Sequence, residues 1–326
     1  MQDLMRSILE NCGSVSGVSL KNSPNSNELL LDEASGKGRM IFHTIFPGMT
    51  LAFIHVNALK WPVSDANAVL KPLLINYCVS GRCELLLDDD AYIYLKENDF
   101  CVSEQTAQNE YIFPLGHYQG IKIYFDLPLL SRSCQPLMDS FGVDLSRLET
   151  MYCQKPKTYI NEADSELKSI LQKLWAIAET PSVFHLQIYT LELLHNLLDT
   201  EMRPAKACTF YTRSQVEIAK RAAQILTDDL RKHVPVKVIA ERFSVSETSL
   251  KNYFRGVYGQ NISTYLRERR MNVAAQLLSD TKNSIAEISE QVGYSNQGKF
   301  AAVFKKQFGV LPLDYRRFKQ LEKDQI

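Results

Sequence analysis

A chain of 326 residues with 45% apolar and 23% charged residues can bury cores for two domains of ordinary size, which excludes a disordered chain. No apolar run approaches the roughly 18–20 residues of a membrane span, so no membrane partner is expected. Net charge is zero, yet from Phe210 onward 20 Lys and Arg stand against 12 Asp and Glu, with 17 against 25 before it, which predicts a polyanionic partner for the C-terminal part alone.

The N-terminal "MQDLMRSILENCGS" lacks the charged, apolar and small-residue series of a signal peptide, which predicts a cytoplasmic protein. Seven cysteines (Cys12, Cys78, Cys83, Cys101, Cys134, Cys153 and Cys208) precede Phe210. Their odd number, scattered spacing and lack of a C-x-x-C pair read as free thiols in a reducing compartment. From about Arg39 to Asp126, "MIFHTIFPGMTLAFIHVNA", "PLLINYCVSGRCELLLDD", "AYIYLKENDFCVSE", "NEYIFPL" and "YQGIKIYFDL" are short β-branched and aromatic runs broken by Gly, Pro, Asn and Asp. They predict the strands of a small barrel or sandwich. "DDDAY", Asp88 to Tyr92, reads as a hairpin turn, because it lacks the alternating carboxylates of a calcium loop.

Two helices are predicted next. The first places Leu167, Ile170, Leu171, Leu174, Ile177 and Ala178 on one face and ends at Thr180-Pro181. The second has Ile188, Leu191, Leu194 and Leu198, with Leu197 alongside. Both are expected to cover the strands, and their wide apolar faces leave room for a homodimer interface. "TEMRPAKACTFYTR" carries a proline and no apolar period, so it reads as a linker. The expected division is a strand-rich domain over 1–200, a linker over 201–213 and an all-α domain over 214–320.

The helical part contains a repeat. "IAERFSVSETSLKNYFRGVYG" (Ile239–Gly259) aligns with "ISEQVGYSNQGKFAAVFKKQFG" (Ile288–Gly309), at an offset of 49 in the first half and 50 in the second. One extra residue therefore enters where the second helix begins. Repetition of polar and turn positions marks two copies of one supersecondary unit. Each copy has the parts of a helix-turn-helix. Ala240 and Ser289 allow a close crossing, Gly293 suits a positive φ, and Ser246 and Ser295 are placed as N-caps. Ser284 with Glu287 forms a capping-box pattern, and Leu250, Phe254, Phe300 and Phe304 are expected in the core. Between the copies "STYLRERRMNVAAQLLSD" predicts a helix with Leu266, Val273, Ala274, Leu277 and Leu278 inward. At about 25 Å it is of the right order to hold two readers in successive major grooves about 34 Å apart.

Residues from about Gln215 to Arg317 resemble the DNA-binding domain of the AraC/XylS family of bacterial transcription regulators. The family signature runs through "RRMNVAAQLLSDTKNSIAEISEQVGYSNQGKFAAVFKKQFGVLPLDYRR", including the closing Gly-x-x-Pro-x-x-Tyr-Arg. The resemblance covers about a third of the chain. The N-terminal part resembles the cupin-like barrel with following helices that many members carry for effector binding and dimerisation. The implied fold is α+β: a cupin-like β-barrel with two helices, then an all-α domain of two helix-turn-helix units.

The implied function is a sequence-specific regulator of promoter or operator DNA, with RNA polymerase as a further partner and a small-molecule effector in the N-terminal domain. Outward residues suited to base edges are Thr248, Ser249, Lys251 and Asn252 on the first reading helix, and Asn296, Gln297 and Lys299 on the second. Phosphate contacts are expected from Ser246, Arg255, Lys305, Lys306, Arg267 and Arg316. Two departures from the family pattern are Ser289, where Ala is usual, and Gly298, where a base-reaching side chain is common. Gly298, with Ala302 nearby, implies that the second copy reads fewer bases.

Trp61, Tyr77, Tyr92, Tyr94 and Phe113 are aromatic candidates for an effector pocket. One alternative is a ligand-independent regulator whose N-terminal domain only dimerises. Another is a metal-dependent cupin enzyme fused to a DNA-binding module, but His43, His55 and His117 form no His-x-His pair. With no Ser-His-Asp, Cys-His or phosphate-cradling Gly pattern either, no metal, cofactor or catalytic residue is expected.

Overall fold

The computed structural model describes residues 9, 15–23, 26–34, 36–62, 72–87, 91–104, 110–152, 158–199 and 209–324. It is a mixed α+β protein of two compact units, Met1–Phe210 and Tyr211–Ile326. Cys12, Cys153, Cys208, Asp88 to Asp90 of the expected hairpin turn and residues 201–208 of the expected linker lie outside the described residues.

The first unit is built on strands β1 (Val18–Ser23), β2 (Ser26–Glu33), β3 (Gly36–Phe46), β4 (Met49–Ala58), β5 (Lys60–Pro62), β6 (Leu73–Leu86), β7 (Ala91–Lys96), β8 (Asp99–Glu104), β9 (Glu110–Ile112), β10 (Tyr118–Phe125) and β11 (Thr158–Glu162). The main sheet runs β1-β2-β3-β4-β10-β6-β7; β8 also pairs with β6, β11 pairs with β8, and β5 and β9 form a separate pair. All these ladders are antiparallel. Among the described residues they do not close the sheet into a barrel. β1 and β2 precede the predicted start at Arg39. β1 is exposed along almost its whole length, so it carries no apolar alternation to betray it.

Alternation along the central strands feeds two cores. Leu51 and Phe53 of β4, Ile75 and Tyr77 of β6, and Ile121 and Ile123 of β10 join one cluster with the helices. Ala52 and Ile54, Leu74 and Cys78, and Tyr118 and Tyr124 join the other, with Phe42, Trp61 and Phe113. A sheet buried on both faces reads as continuous apolar runs, as these sequences do. The helices are α1 (Leu127–Ser140), α2 (Leu145–Tyr152), α3 (Ser165–Ala176) and α4 (Val183–Asp199). α1 and α2 were not anticipated; Pro136 inside α1 disguises it, and Asp126 caps it by accepting from the Leu129 amide at 3.0 Å. On α3 Leu167, Ile170, Leu171 and Leu174 are buried as predicted. On α4 Ile188 is exposed rather than inward; Leu186, Leu193 and Thr190 take the buried positions around Leu191, Leu194, Leu197 and Leu198.

The second unit comprises α5 (Arg213–Thr227), α6 (Val236–Arg242), α7 (Glu247–Tyr258), α8 (Ile262–Asp280), α9 (Ile285–Gln291), α10 (Gln297–Phe308) and α11 (Pro312–Asp324). α8 is the linking helix, and its 19 residues rise about 28 Å. Its buried residues are Ile262, Tyr265, Met271, Ala274, Ala275 and Leu278, so of the predicted inward set Leu266, Val273 and Leu277 are only half-buried. The reason is that α8 serves two cores. Tyr265 packs edge-on against Phe254 of α7, whereas Met271, Ala274, Ala275 and Leu278 pack with Ile288, Val292, Phe300 and Phe304 of α9 and α10. No helix among the described residues is long and apolar enough to cross a membrane.

Candidate nucleic-acid interface

The two turns are built alike. After α6 the Ser244 amide bonds to the Glu241 carbonyl and the Val245 amide to Ala240; after α9 Gly293 bonds to Glu290 and Tyr294 to Ser289. This is the Schellman pattern, which needs one left-handed residue. Ser244 (φ 54°) and Gly293 (φ 82°) supply it. Ser289, the departure from alanine, is 2% exposed and donates its hydroxyl to the Tyr294 carbonyl at 3.1 Å, so it fastens the turn it precedes.

The caps locate the inserted residue. Ser246 caps α7, its Oγ accepting from the Ser249 amide at 3.0 Å. The cap of α10 is Asn296 rather than the predicted Ser295, with Oδ1 accepting from the Lys299 amide at 2.8 Å. Asn296 is the offset-50 partner of Ser246, so the inserted residue lies before the cap. The capping box of Ser284 and Glu287 is present, and the Ser284 amide bond pulls the Glu287 carboxyl below its ordinary range. Gly259 and Gly309 end α7 and α10 in the left-handed conformation.

The repeat extends beyond Gly259 and Gly309 into the helices that follow. Gly259-x-x-Ile262-x-x-Tyr265 matches Gly309-x-x-Pro312-x-x-Tyr315, starting α8 and α11. Tyr265 meets Phe254 at 5.2 Å and 79°, and Tyr315 meets Phe304 at 5.4 Å and 80°. This extension was legible in the spacing of the two tyrosines and was missed.

With Leu250, Phe254, Phe300 and Phe304 fully buried, the opposite sides of α7 and α10 face outward. Thr248, Lys251, Asn252, Asn296, Gln297 and Lys299 are exposed, while Ser249 is half-buried and its hydroxyl accepts from Ser246 at 2.9 Å. Lys251 pairs with Glu247 at 3.1 Å on the surface. Gly298 and Ala302 are exposed on α10 and present no polar side chain; a Cβ on Gly298 would stand 3.2 Å from the capping oxygen of Asn296.

Among the expected phosphate ligands Ser246, Arg255, Arg267, Lys305 and Lys306 are exposed. Arg316 is placed otherwise: Nη2 donates to the Asn283 carbonyl at 2.6 Å and Nε to the Leu278 carbonyl at 3.3 Å. It closes the C-terminal end of α8, so its guanidinium is committed inside the fold. Arg231, before α6, is paired with a carboxylate. Its side-chain bond to Asp229 pulls that carboxyl down to about 2 and ties the two together.

Between α7 and α10, along the first half of α8, lies a cleft of about 650 Å³ lined by His233, Lys251, Arg267, Arg270, Tyr294 and Lys299 among others. No carboxylate lines it. Arg270, which the sequence reading did not single out, crosses this region. Nη2 donates to the Leu230 carbonyl at 2.6 Å, Nη1 reaches the Gly293 carbonyl at 3.5 Å, and the guanidinium carbon lies 5.8 Å from the Tyr294 ring centre.

In the first unit the five aromatic candidates are not brought to one place. Trp61 and Phe113 are fully buried in one core, Tyr77 is in the other, and Tyr94 donates to Glu84 at 2.7 Å. Tyr92 is half-buried on β7. The Trp61 and Phe113 core also holds polar groups that the sequence did not flag. Tyr118 donates to Asn76 Oδ1 at 2.8 Å, and Asn76 Nδ2 is buried without a hydrogen-bond partner among the described residues. Lys122 lies over the Tyr111 ring at 3.7 Å. His43 packs against Phe53, His55 stacks on Trp175 and His117 is exposed. Among the described residues no three His, Cys, Asp or Glu side chains group as metal ligands.

The chain matches a family model described as a helix-turn-helix domain over residues 239–317. It is 37% identical over 81 residues to the regulatory protein SoxS of Escherichia coli (strain K12), covering 25% of this chain and 76% of that protein. SoxS of Salmonella typhimurium (strain LT2) is 30% identical over 103 residues, covering 32% of this chain and 96% of that protein. Among solved structures, the C-terminal domain of AraT, a response regulator from Geobacillus stearothermophilus, is 35% identical with a TM-score of 0.30, over 31% of this chain and 84% of that one.

Proposed function

The chain belongs to the AraC/XylS family of DNA-binding transcriptional regulators, and from that premise we propose how its two parts divide the work. Residues 214–320 form the DNA-binding domain, with α7 and α10 as reading helices in successive major grooves of a promoter or operator. The observation that carries this reading is the duplicated cap, turn and core geometry, which leaves Thr248, Lys251 and Asn252 of α7 and Gln297, Gly298, Lys299 and Ala302 of α10 exposed on the outward sides. Asn252 and Lys251 read bases from α7 together with Thr248, and Gln297 and Lys299 read from α10. Ser249 and Asn296 serve first as cap partners. Arg255, Arg267, Lys305 and Lys306 bind phosphates, with Ser246 at the start of α7, and the carboxylate-free cleft accommodates the backbone between the grooves.

Residues 1–200 form the regulatory domain, a cupin-like fold by family resemblance, and residues 201–213 link the two. A small-molecule effector bound in the first unit shifts the regulator between states by its differential affinity for them. Support comes from Asn76 Nδ2, because a buried donor left unpaired costs about 1–3 kcal/mol and a polar ligand would relieve it. The protein acts in the cytoplasm as a homodimer and contacts RNA polymerase at its promoters.

Selection of a binding site from random duplexes by the full chain, followed by Asn252→Ala, tests the base-reading assignment. The variant is expected to lose about 1–3 kcal/mol on the selected site and little on random DNA. Equal losses on both would remove Asn252 from base recognition.

A further inference from the structure

Arg270 holds the two helix-turn-helix units to one another. It stands midway along α8, yet neither of its hydrogen bonds is made within that helix. One goes to Leu230, in the connection between α5 and α6 beside the first helix-turn-helix copy, and the other to Gly293, in the turn between α9 and α10 of the second copy. The two backbones approach closely at this point. A Cβ on Gly293 would lie 2.2 Å from the Leu230 oxygen and 2.8 Å from Arg270 Nη2. The Arg270 guanidinium also faces the Tyr294 ring, in the same turn that leads into α10.

We propose that Arg270 is a positioning residue that sets the distance and angle between the two reading helices, and so fixes the number of base pairs tolerated between the two half-sites. Apart from Arg270, α8 holds the two copies through its own stiffness, its apolar contacts and bonds to a single copy, such as Gln307 to Asn272 Oδ1 at 2.8 Å. A planar guanidinium with two donors, one to a carbonyl beside each helix-turn-helix copy, adds a directional clasp that a single ammonium cannot reproduce. The clasp lies at the turn directly before α10, where a small rotation is carried along the whole reading helix. Changing the half-site spacing by one base pair turns one half-site by about 35° and moves it about 3.4 Å, which a rigid pair of readers cannot follow.

The inference rests on both helices reading DNA, and the experiment separates the two. A site selected from random duplexes by the wild-type chain is remade with one base pair removed or added between the halves contacted by α7 and α10. The wild type is expected to lose about tenfold or more in affinity on each altered spacing. In Arg270→Lys and Arg270→Met that penalty is expected to shrink below about threefold, with Arg270→Lys nearer the wild type. Melting and random-DNA binding are followed in parallel, and if Arg270→Met does not fold, Arg270→Lys decides alone. A phosphate-binding or merely stabilising Arg270 would lower affinity equally at every spacing, and that result overturns the proposal. If the wild type itself shows no preference for spacing, the reading by two helices fails along with it.

Discussion

At position 293 a Cβ would meet the Leu230 carbonyl oxygen, whereas its counterpart Ser244 keeps a side chain at φ 54°. A positive φ alone therefore does not require glycine here, and the close approach of the backbone at Leu230, beside the first helix-turn-helix copy, does. Gly293→Ala is expected to destabilise the second unit by about 2–4 kcal/mol, through left-handed strain plus a backbone clash. Ser244→Gly is expected to stabilise by up to about 1 kcal/mol, as relief of strain is offset by a more flexible unfolded chain. Both tryptophans, Trp61 and Trp175, belong to the first unit, so hydrogen exchange of amides in α9 and α10 is the suitable measurement. A Gly293→Ala variant as protected as the wild type would refute the close approach. The outward positions of α7 and α10 were legible because helical period and cap spacing are local properties. Arg270 and Arg316 were not, because their carbonyl partners lie 40, 23, 38 and 33 residues away in sequence.

At the scale of elements, the two copies use the same cap, the same left-handed ends and the same Phe–Tyr contact, so their helices start and stop alike. Asn296→Ala should cost α10 about 1 kcal/mol, as Ser246→Ala should cost α7, measured by hydrogen exchange. A loss at Ser246 alone would mean the inserted residue had been put in the wrong place. Phosphate contacts behave differently from caps. Lys305→Ala is expected to leave stability unchanged, weaken binding to all DNA and reduce the slope of log affinity against log salt by about 0.9. An unchanged slope would remove Lys305 from the interface. The starts of α7, α9 and α10 were legible to within a residue because capping chemistry marks them. In the strand-rich unit β1 and α1 escaped notice, one because it is mostly exposed and the other because of Pro136.

For the whole molecule, the basic charge lies in the second unit, and the proposed ligand sensing in the first remains separable from DNA binding by experiment. A ligand of the first unit should raise its melting point, since saturation at 100 times Kd adds about 2.7 kcal/mol to the liganded state. Tryptophan fluorescence of the full chain, heated with pools of cell metabolites, reads that unit directly. If no pool shifts the transition while specific DNA binding persists, the ligand-independent alternative replaces the sensor. The sequence by itself determined the family, the two-part division of charge, the duplicated units and the outward faces of α7 and α10, because each is written in composition, periodicity, caps and repeat spacing along the chain. Only the tertiary structure decided which strands share a core, where the candidate aromatics separate, and that Arg270 bonds to both Leu230 and Gly293. Those depend on contacts between residues far apart in the chain, for which local pattern carries no signal.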